Sequence, residues 1–85
     1  MIEKKAIVKS ETGIHARPAL TVVKLASKFK SEVLLVKDGN EYNAKSIVAI
    51  MCMAAVKGDE IIIKTNGVDE EAAAVDMVEL IEEIK

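Results

Sequence analysis

Apolar residues recur along the chain with two different periods, and the switches between them predict the order of elements. Ile2 to Lys9 is short, carries β-branched Ile7 and Val8, and runs into the turn-like Glu11-Thr12-Gly13, which predicts a strand. From Ala16 to about Phe29, the residues Ala19, Val22, Val23, Ala26 and Phe29 repeat every three or four positions, the mark of a helix with one buried face. Glu32 to Lys37 reads as a second strand. Asp38-Gly39 is a hairpin pair leading to a polar strand around Glu41 to Asn43 that suits a sheet edge. Ser46 precedes an apolar stretch closed by Lys57-Gly58, the pattern of a capped short helix with a glycine stop. Asp59 to Thr65, centred on Ile61-Ile62-Ile63, predicts a buried strand. After Asn66-Gly67, Asp69 can cap a last helix marked by Ala73, Met77, Leu80, Ile81 and Ile84, with Glu70 and Glu71 at its positive end.

The order βαββαβα leaves connections too short for parallel neighbours except across the helices. The expected fold is therefore α+β, an open-faced two-layer sandwich with a four-stranded antiparallel sheet and three helices on one face. No linker or repeat divides residues 1–85, and 85 residues are too few for two cores, so one domain is expected. A 51% hydrophobic content excludes disorder by composition. The longest apolar run, Ile47 to Val56, has ten residues, about half of what a membrane-spanning helix needs. With no signal-peptide pattern at the amino end, a cytoplasmic location without membrane insertion is expected.

Composition narrows the chemistry further. A single cysteine, Cys52, allows no internal disulfide and no cysteine cage for a metal, and it reads as a small core residue within the second helix. Neither a metal nor another cofactor is expected. The net charge is −2, yet residues 1–30 carry seven basic and two acidic side chains, while residues 59–85 carry two basic and nine acidic. With one Tyr, one Phe and no Trp there is little on which bases could stack, so direct nucleic-acid binding is not expected. A basic amino-terminal third suits an acidic protein surface or a phosphate. Nothing in the pattern demands more than a monomer.

The only histidine, His15, stands where the first strand-to-helix turn opens the first helix. With His15 at the cap, the backbone N–H groups of Ala16 and Arg17 lack helical acceptors, and Pro18 is tolerated in the first turn. These donors and the aligned peptide dipoles favour a phosphate, to which Arg17 can add charge-assisted hydrogen bonds. The same positive end disfavours imidazolium, which lowers the expected pKa of His15 and leaves a ring nitrogen free to attack near neutral pH. Spacing alone favours a solvated capping histidine beside a solvated arginine. On the same helix Arg17, Lys24 and Lys28 fall on one side, with Leu20 beside them, either as a basic stripe that steers a partner or as an ordinary solvated face.

Gly13-Ile14-His15-Ala16-Arg17-Pro18-Ala19, together with Asn43-Ala44-Lys45-Ser46-Ile47 and Lys57-Gly58, resembles the two motifs of the HPr phosphocarrier family of the phosphoenolpyruvate-dependent sugar phosphotransferase system, and the resemblance covers essentially the whole chain. It implies that His15 accepts a phosphoryl group on Nδ1 from enzyme I and passes it to IIA domains of sugar transporters, with Arg17 as the active-site arginine. Such a protein is a carrier with a covalent phosphohistidine intermediate, not a stand-alone enzyme. Ala16, Arg17 and Thr12 would surround the phosphate. Thr12 departs from the Ser or Asn expected there but keeps a hydroxyl.

The second helix is apolar all round, with Ile47, Val48 and Met51 on one side and Ala49, Ile50 and Met53 on the other. Only one side fits a two-layer core, and the resemblance points to Ile47, Val48 and Met51 as a docking patch that joins Leu20, Lys24 and Lys28. It further implies regulatory phosphorylation of Ser46 by an HPr kinase/phosphorylase, creating a partner for a catabolite repressor. Independently of any modification, Ser46 is explained as a helix cap. Ala54 stands where the family often has glycine, which suggests a stiffer helix. Two alternatives stay open: a regulatory module of the same fold, either catabolite corepressor or nitrogen-branch carrier, and a scaffold with an anion-binding helix end.

Overall fold

The computed structural model describes residues 1–14 and 16–84. Strand β1 (Ile2–Ile7) is followed by helix α1 (Ala16–Ala26), the hairpin of β2 (Glu32–Lys37) and β3 (Asn40–Asn43), helix α2 (Ile47–Met53), strand β4 (Glu60–Asn66) and helix α3 (Glu70–Glu83). The sheet order is β1-β4-β2-β3 with every neighbouring pair antiparallel, and the three helices cover one face. The expected βαββαβα open-faced sandwich is the fold observed. β3 is an edge strand, as its polar sequence indicated.

Alternation decides which side of the sheet is covered. Val33 and Leu35 of β2 and Ile61, Ile63 and Thr65 of β4 are buried beneath the helices, while Leu34, Val36, Ile62 and Lys64 on the other face are only partly covered. Helices α1 and α3 contribute Ala19, Val22 and Ala26, and Ala73, Met77 and Ile81, to the same core, and α2 contributes Ile50 and Met53. The alanines let the helices approach closely. The hairpin turns at Asp38 and Gly39, both with positive φ (52° and 82°), which matches the right-handed twist of the flanking strands.

Element ends depart from the sequence reading where the chain turns sharply. The first strand stops at Ile7 rather than Lys9, although Val8 still bonds to the loop before β4. Helix α1 ends at Ala26, short of Phe29, because the amides of Lys28 and Phe29 bond three residues back and tighten the chain into turns. Phe29 nevertheless packs on the core. Asp69 precedes α3 but does not cap it through its side chain. Its carboxylate instead accepts from the backbone N–H groups of Lys30 and Ser31, both at 2.9 Å, and from the Ser31 hydroxyl, tying the entry of β2 to the entry of α3.

The Ser31 hydroxyl, followed by the Lys30 amide, holds the Asp69 carboxyl down at about 2. A carboxyl lowered by folding stabilises the native state above its unfolded pKa, near 3.8, and loses that contribution as pH falls toward 2. Asp69→Asn is expected to unfold more readily at neutral pH and to show a shallower loss of stability between pH 4 and 2 than the parent. Urea melts across that window check this; parallel acid limbs for the two proteins would contradict it.

Candidate functional site

The turn that leads to α1 is built on the far end of the β1/β4 pair. Past β1, the Val8 amide donates to the Asp59 carbonyl at 3.0 Å and its carbonyl accepts from the Gly58 amide at 2.8 Å. The chain then folds over itself: the Gly13 amide donates to the Ser10 carbonyl at 3.1 Å, and the hydroxyls of buried Ser10 and exposed Thr12 lie 3.3 Å apart. Gly13 has φ +71°, and a Cβ there would run into the carbonyl oxygen of Ala55. Only glycine accommodates both the conformation and the approach. Ile14 is buried, and its amide donates to the same Ala55 carbonyl at 2.9 Å. Residues 13 and 14 are thus seated on residues 55 and 56.

His15 lies outside the described residues, as do the readings made of it as a cap and of its lowered pKa. The residues on either side are placed. Helix α1 starts at Ala16, and both Ala16 and Arg17 are exposed. First-turn amides have no carbonyl one turn earlier, and Pro18 gives up none in that position. The helix therefore presents its electropositive end, with the Arg17 guanidinium, to solvent next to the turn carrying Thr12. Across the turn, Lys57 Nζ meets Glu11 Oε1 at 2.8 Å, an exposed pair that joins the two loops but adds little stability by itself.

Helix α2 approaches from the other motif. Ser46 is its cap, as expected: its backbone is extended (φ −114°, ψ 117°) and its Oγ accepts from the Ala49 amide at 3.2 Å. The helix ends at Met53, not at Lys57-Gly58. Ala54 adopts the left-handed conformation (φ 50°, ψ 44°), its amide bonds to the Met51 carbonyl, and the chain leaves the helix there. The expectation of a stiffened helix at Ala54 is therefore corrected: this alanine lies past the helix, in a conformation that favours glycine.

Helices α1 and α2 pack against one another and leave an apolar exterior. Leu20 is 48% exposed, Val48 67% and Met51 49%, whereas Ile50 and Met53 are fully buried. Ile47 is half-buried against the core. Met51 is thus a surface residue together with Val48, whereas Ile47, read on the same side, packs partly on the core. Lys24 is exposed on α1, but Lys28, although exposed, lies beyond the end of the helix, so helical spacing does not align it with Arg17 and Lys24. Cys52 is exposed, which corrects its reading as a core residue: the seven-residue α2 buries only a narrow strip, and position 52 falls outside it.

The residues that support the turn were not legible as such. Lys37 Nζ donates to the carbonyls of Met53 (3.0 Å) and Ala54 (3.2 Å), and Asp59 Oδ2 accepts from the Val56 amide at 2.8 Å. Asp59 carried a local signal, an acid three residues after an amide in need of an acceptor. Lys37 carried none, being 16 residues from the first carbonyl it serves.

The family model for the "PTS HPr component phosphorylation site" matches residues 2–83. The phosphocarrier protein HPr of Borreliella burgdorferi is 39% identical over 85 residues, covering 100% of this chain and 99% of its own. The HPr-like protein Crh of Halalkalibacterium halodurans is 43% identical over 82 residues, covering 96% and 98%. Among solved structures, HPr of Bacillus anthracis superposes with a TM-score of 0.89 at 37% identity, covering 93% of this chain and 94% of that one.

A non-glycine residue in the left-handed region costs about 1 kcal/mol or more, partly offset in a glycine variant by roughly 0.4–1 kcal/mol of extra unfolded-chain entropy. Ala54 is exposed, so its methyl contributes little packing. Ala54→Gly is expected to stabilise the fold by about 0.5–1 kcal/mol, raising Tm by roughly 2–8 °C. Calorimetry checks this, and a lower Tm would show that the conformation at position 54 is not strained.

Proposed function

This chain belongs to the HPr phosphocarrier family of the phosphotransferase system, and from that premise we propose that it relays a phosphoryl group on His15, from phosphorylated enzyme I to IIA domains of sugar transporters. The observation that carries this reading is the position of the Gly13-to-Pro18 motif: a turn seated on residues 55 and 56, opening directly into the exposed amino end of α1 with Arg17 beside it. In the relay, an imidazole nitrogen attacks phosphorus while the bond from phosphorus to the donor breaks. The loose transition state asks mainly for alignment and for stabilisation of the equatorial oxygens. The first-turn amides of Ala16 and Arg17, the Arg17 guanidinium and the Thr12 hydroxyl supply donors for these oxygens. The reverse of the same step discharges the carrier to its acceptor.

Leu20, Lys24, Ile47, Val48 and Met51, with Lys28 at the margin, form the docking surface in this reading. Exposed leucine, valine and flexible methionine suit a surface that accepts several unlike partners, and the lysines steer acidic ones. Ser46 is proposed as the site of regulatory phosphorylation by an HPr kinase/phosphorylase, with a catabolite repressor as the reader. A phosphate there adds about two negative charges at the start of α2, where the helix dipole tolerates them, and so alters docking rather than the fold. Identity to Crh proteins favours a second reading, a regulatory module of the same fold serving as a catabolite corepressor. His15, retained at the acceptor position, supports the carrier. Solved relatives include dimers; we read this chain as a cytoplasmic monomer of one HPr-like domain, since its core closes within one copy.

Incubation with phosphoenolpyruvate and enzyme I is expected to give an acid-labile phosphate, seen by phosphorus NMR as an imidazole adduct and absent from His15→Ala. Transfer persisting in that variant would overturn the assignment. Met51→Glu is expected to weaken binding to enzyme I by about tenfold or more while Tm moves by no more than about 2 °C. Titration calorimetry and melting of the same sample check both, and intact affinity would remove Met51 from the docking surface.

A further inference from the structure

The turn before His15 rests on residues 55 and 56, and those residues are in turn fixed by a pair of side chains remote from the site in sequence. Lys37, the last residue of β2, reaches the end of α2, where the helix leaves carbonyls without partners. Its ammonium donates to the carbonyls of Met53 at 3.0 Å and Ala54 at 3.2 Å. It also lies 3.5 Å from Asp59 Oδ2, the atom that accepts from the Val56 amide at 2.8 Å. The Lys37 and Asp59 side chains are mostly covered, at 19% and 26% exposure, so this is not a loose surface pair. Carbonyls on one side of Ala55 and the amide on the other are therefore both held.

Between those fixed points is the Ala55 carbonyl, which receives the Ile14 amide at 2.9 Å and stands against Gly13. Lys37 is linked to Ile14 by its hydrogen bonds to the Met53 and Ala54 carbonyls, its ion pair with Asp59, the bond of Asp59 to the Val56 amide, and the backbone of residues 54–56 between them. We propose that Lys37, acting with Asp59, is a positioning residue for phosphoryl transfer: it fixes the left-handed exit of α2 so that the Ala55 carbonyl holds the turn preceding His15. This rests on the carrier reading above. The role proposed for Lys37 includes no contact with the transferred phosphate. Its effect passes through the backbone of residues 54–56, and it concerns alignment, on which in-line transfer depends steeply.

The test uses the full chain with phosphorylated enzyme I as donor, in parallel with amide exchange followed by NMR. Lys37→Met, which keeps the stem and removes the ammonium, is expected to lower kcat for transfer by about tenfold with KM changed less than about twofold. The Ile14 amide is expected to exchange about tenfold faster, while amides in the centre of β4 change far less. Lys37→Arg, which restores a cation able to reach both carbonyls, is expected to recover both readouts. A purely structural role would speed exchange throughout and leave kcat intact well below Tm. That result, or unchanged Ile14 exchange, or failure of the arginine variant to recover, would overturn the proposal. Should Lys37→Met not fold, Asp59→Ala, which removes both the ion-pair partner of Lys37 and the acceptor of the Val56 amide, takes its place with both readouts expected to move in the same direction. If the parent chain accepts no phosphoryl group, the carrier reading fails on its own, and Ile14 exchange still decides whether Lys37 holds the turn.

Discussion

The pairing of β1 with β4 is the constraint on which the rest of the molecule depends. β4 lies between β1 and β2, which do not touch one another in the sheet, so the chain becomes one sheet only when β4 inserts. Because the pair is antiparallel, the exit of β1 and the entry of β4 share one end. That end is where the two sequence motifs meet: residues 8–14, leading into α1, lie alongside residues 55–59, arriving from α2. The site is a product of strand register. A slip of β1 by one residue would carry Ala6 to the open face and would also part Ile14 from Ala55.

Around that seat the molecule divides its labour by burial. Polar groups that fix geometry are covered or bonded: Ser10 and Ser31 are buried, Lys37 is largely enclosed, and Lys45 spans from the second motif to the Phe29 carbonyl at 2.8 Å, tying the exit of α1 to the approach of α2. Groups suited to meeting other molecules are exposed, namely Ala16, Arg17, Leu20, Val48 and Met51. A surface of large apolar side chains flanked by lysines is unusual on a small acidic protein and has no role in its core. In the same region the amino end of α1 faces outward, so a phosphate would be bound and approached from one direction.

Much of this was legible in the sequence for identifiable reasons. Period-three and period-four apolar residues located α1 and α3, the isoleucine triplet located β4, and Asp38-Gly39 located the hairpin, because in each case a local preference and the tertiary outcome agree. Ser46 was found as a cap because capping is local. What escaped was whatever long-range contacts decide. The carbonyls at the end of α2 are met by Lys37 from another strand, so continuing the apolar run to Val56 placed Ala54 wrongly, while Cys52 was misread because α2 buries only a narrow strip. Asp69 had the right residue type at the right place for a cap, yet the distant Ser31 engages it instead. The role proposed for His15 comes from the resemblance of the flanking motif to a known family; spacing alone favours a solvated histidine.

The register of β1 on β4 joins Ile2 to Thr65, across about three quarters of the sequence. Closing so wide a loop is slow relative to forming local helices or the β2/β3 hairpin, since entropy is lost before any strand contact repays it. A nascent chain that has not yet released β4 from the ribosome has its hairpin and its first helix within reach but has no sheet to mount them on. Assembly of the loop-on-loop seat accordingly waits for β4, and is reached together with the sheet and not before it.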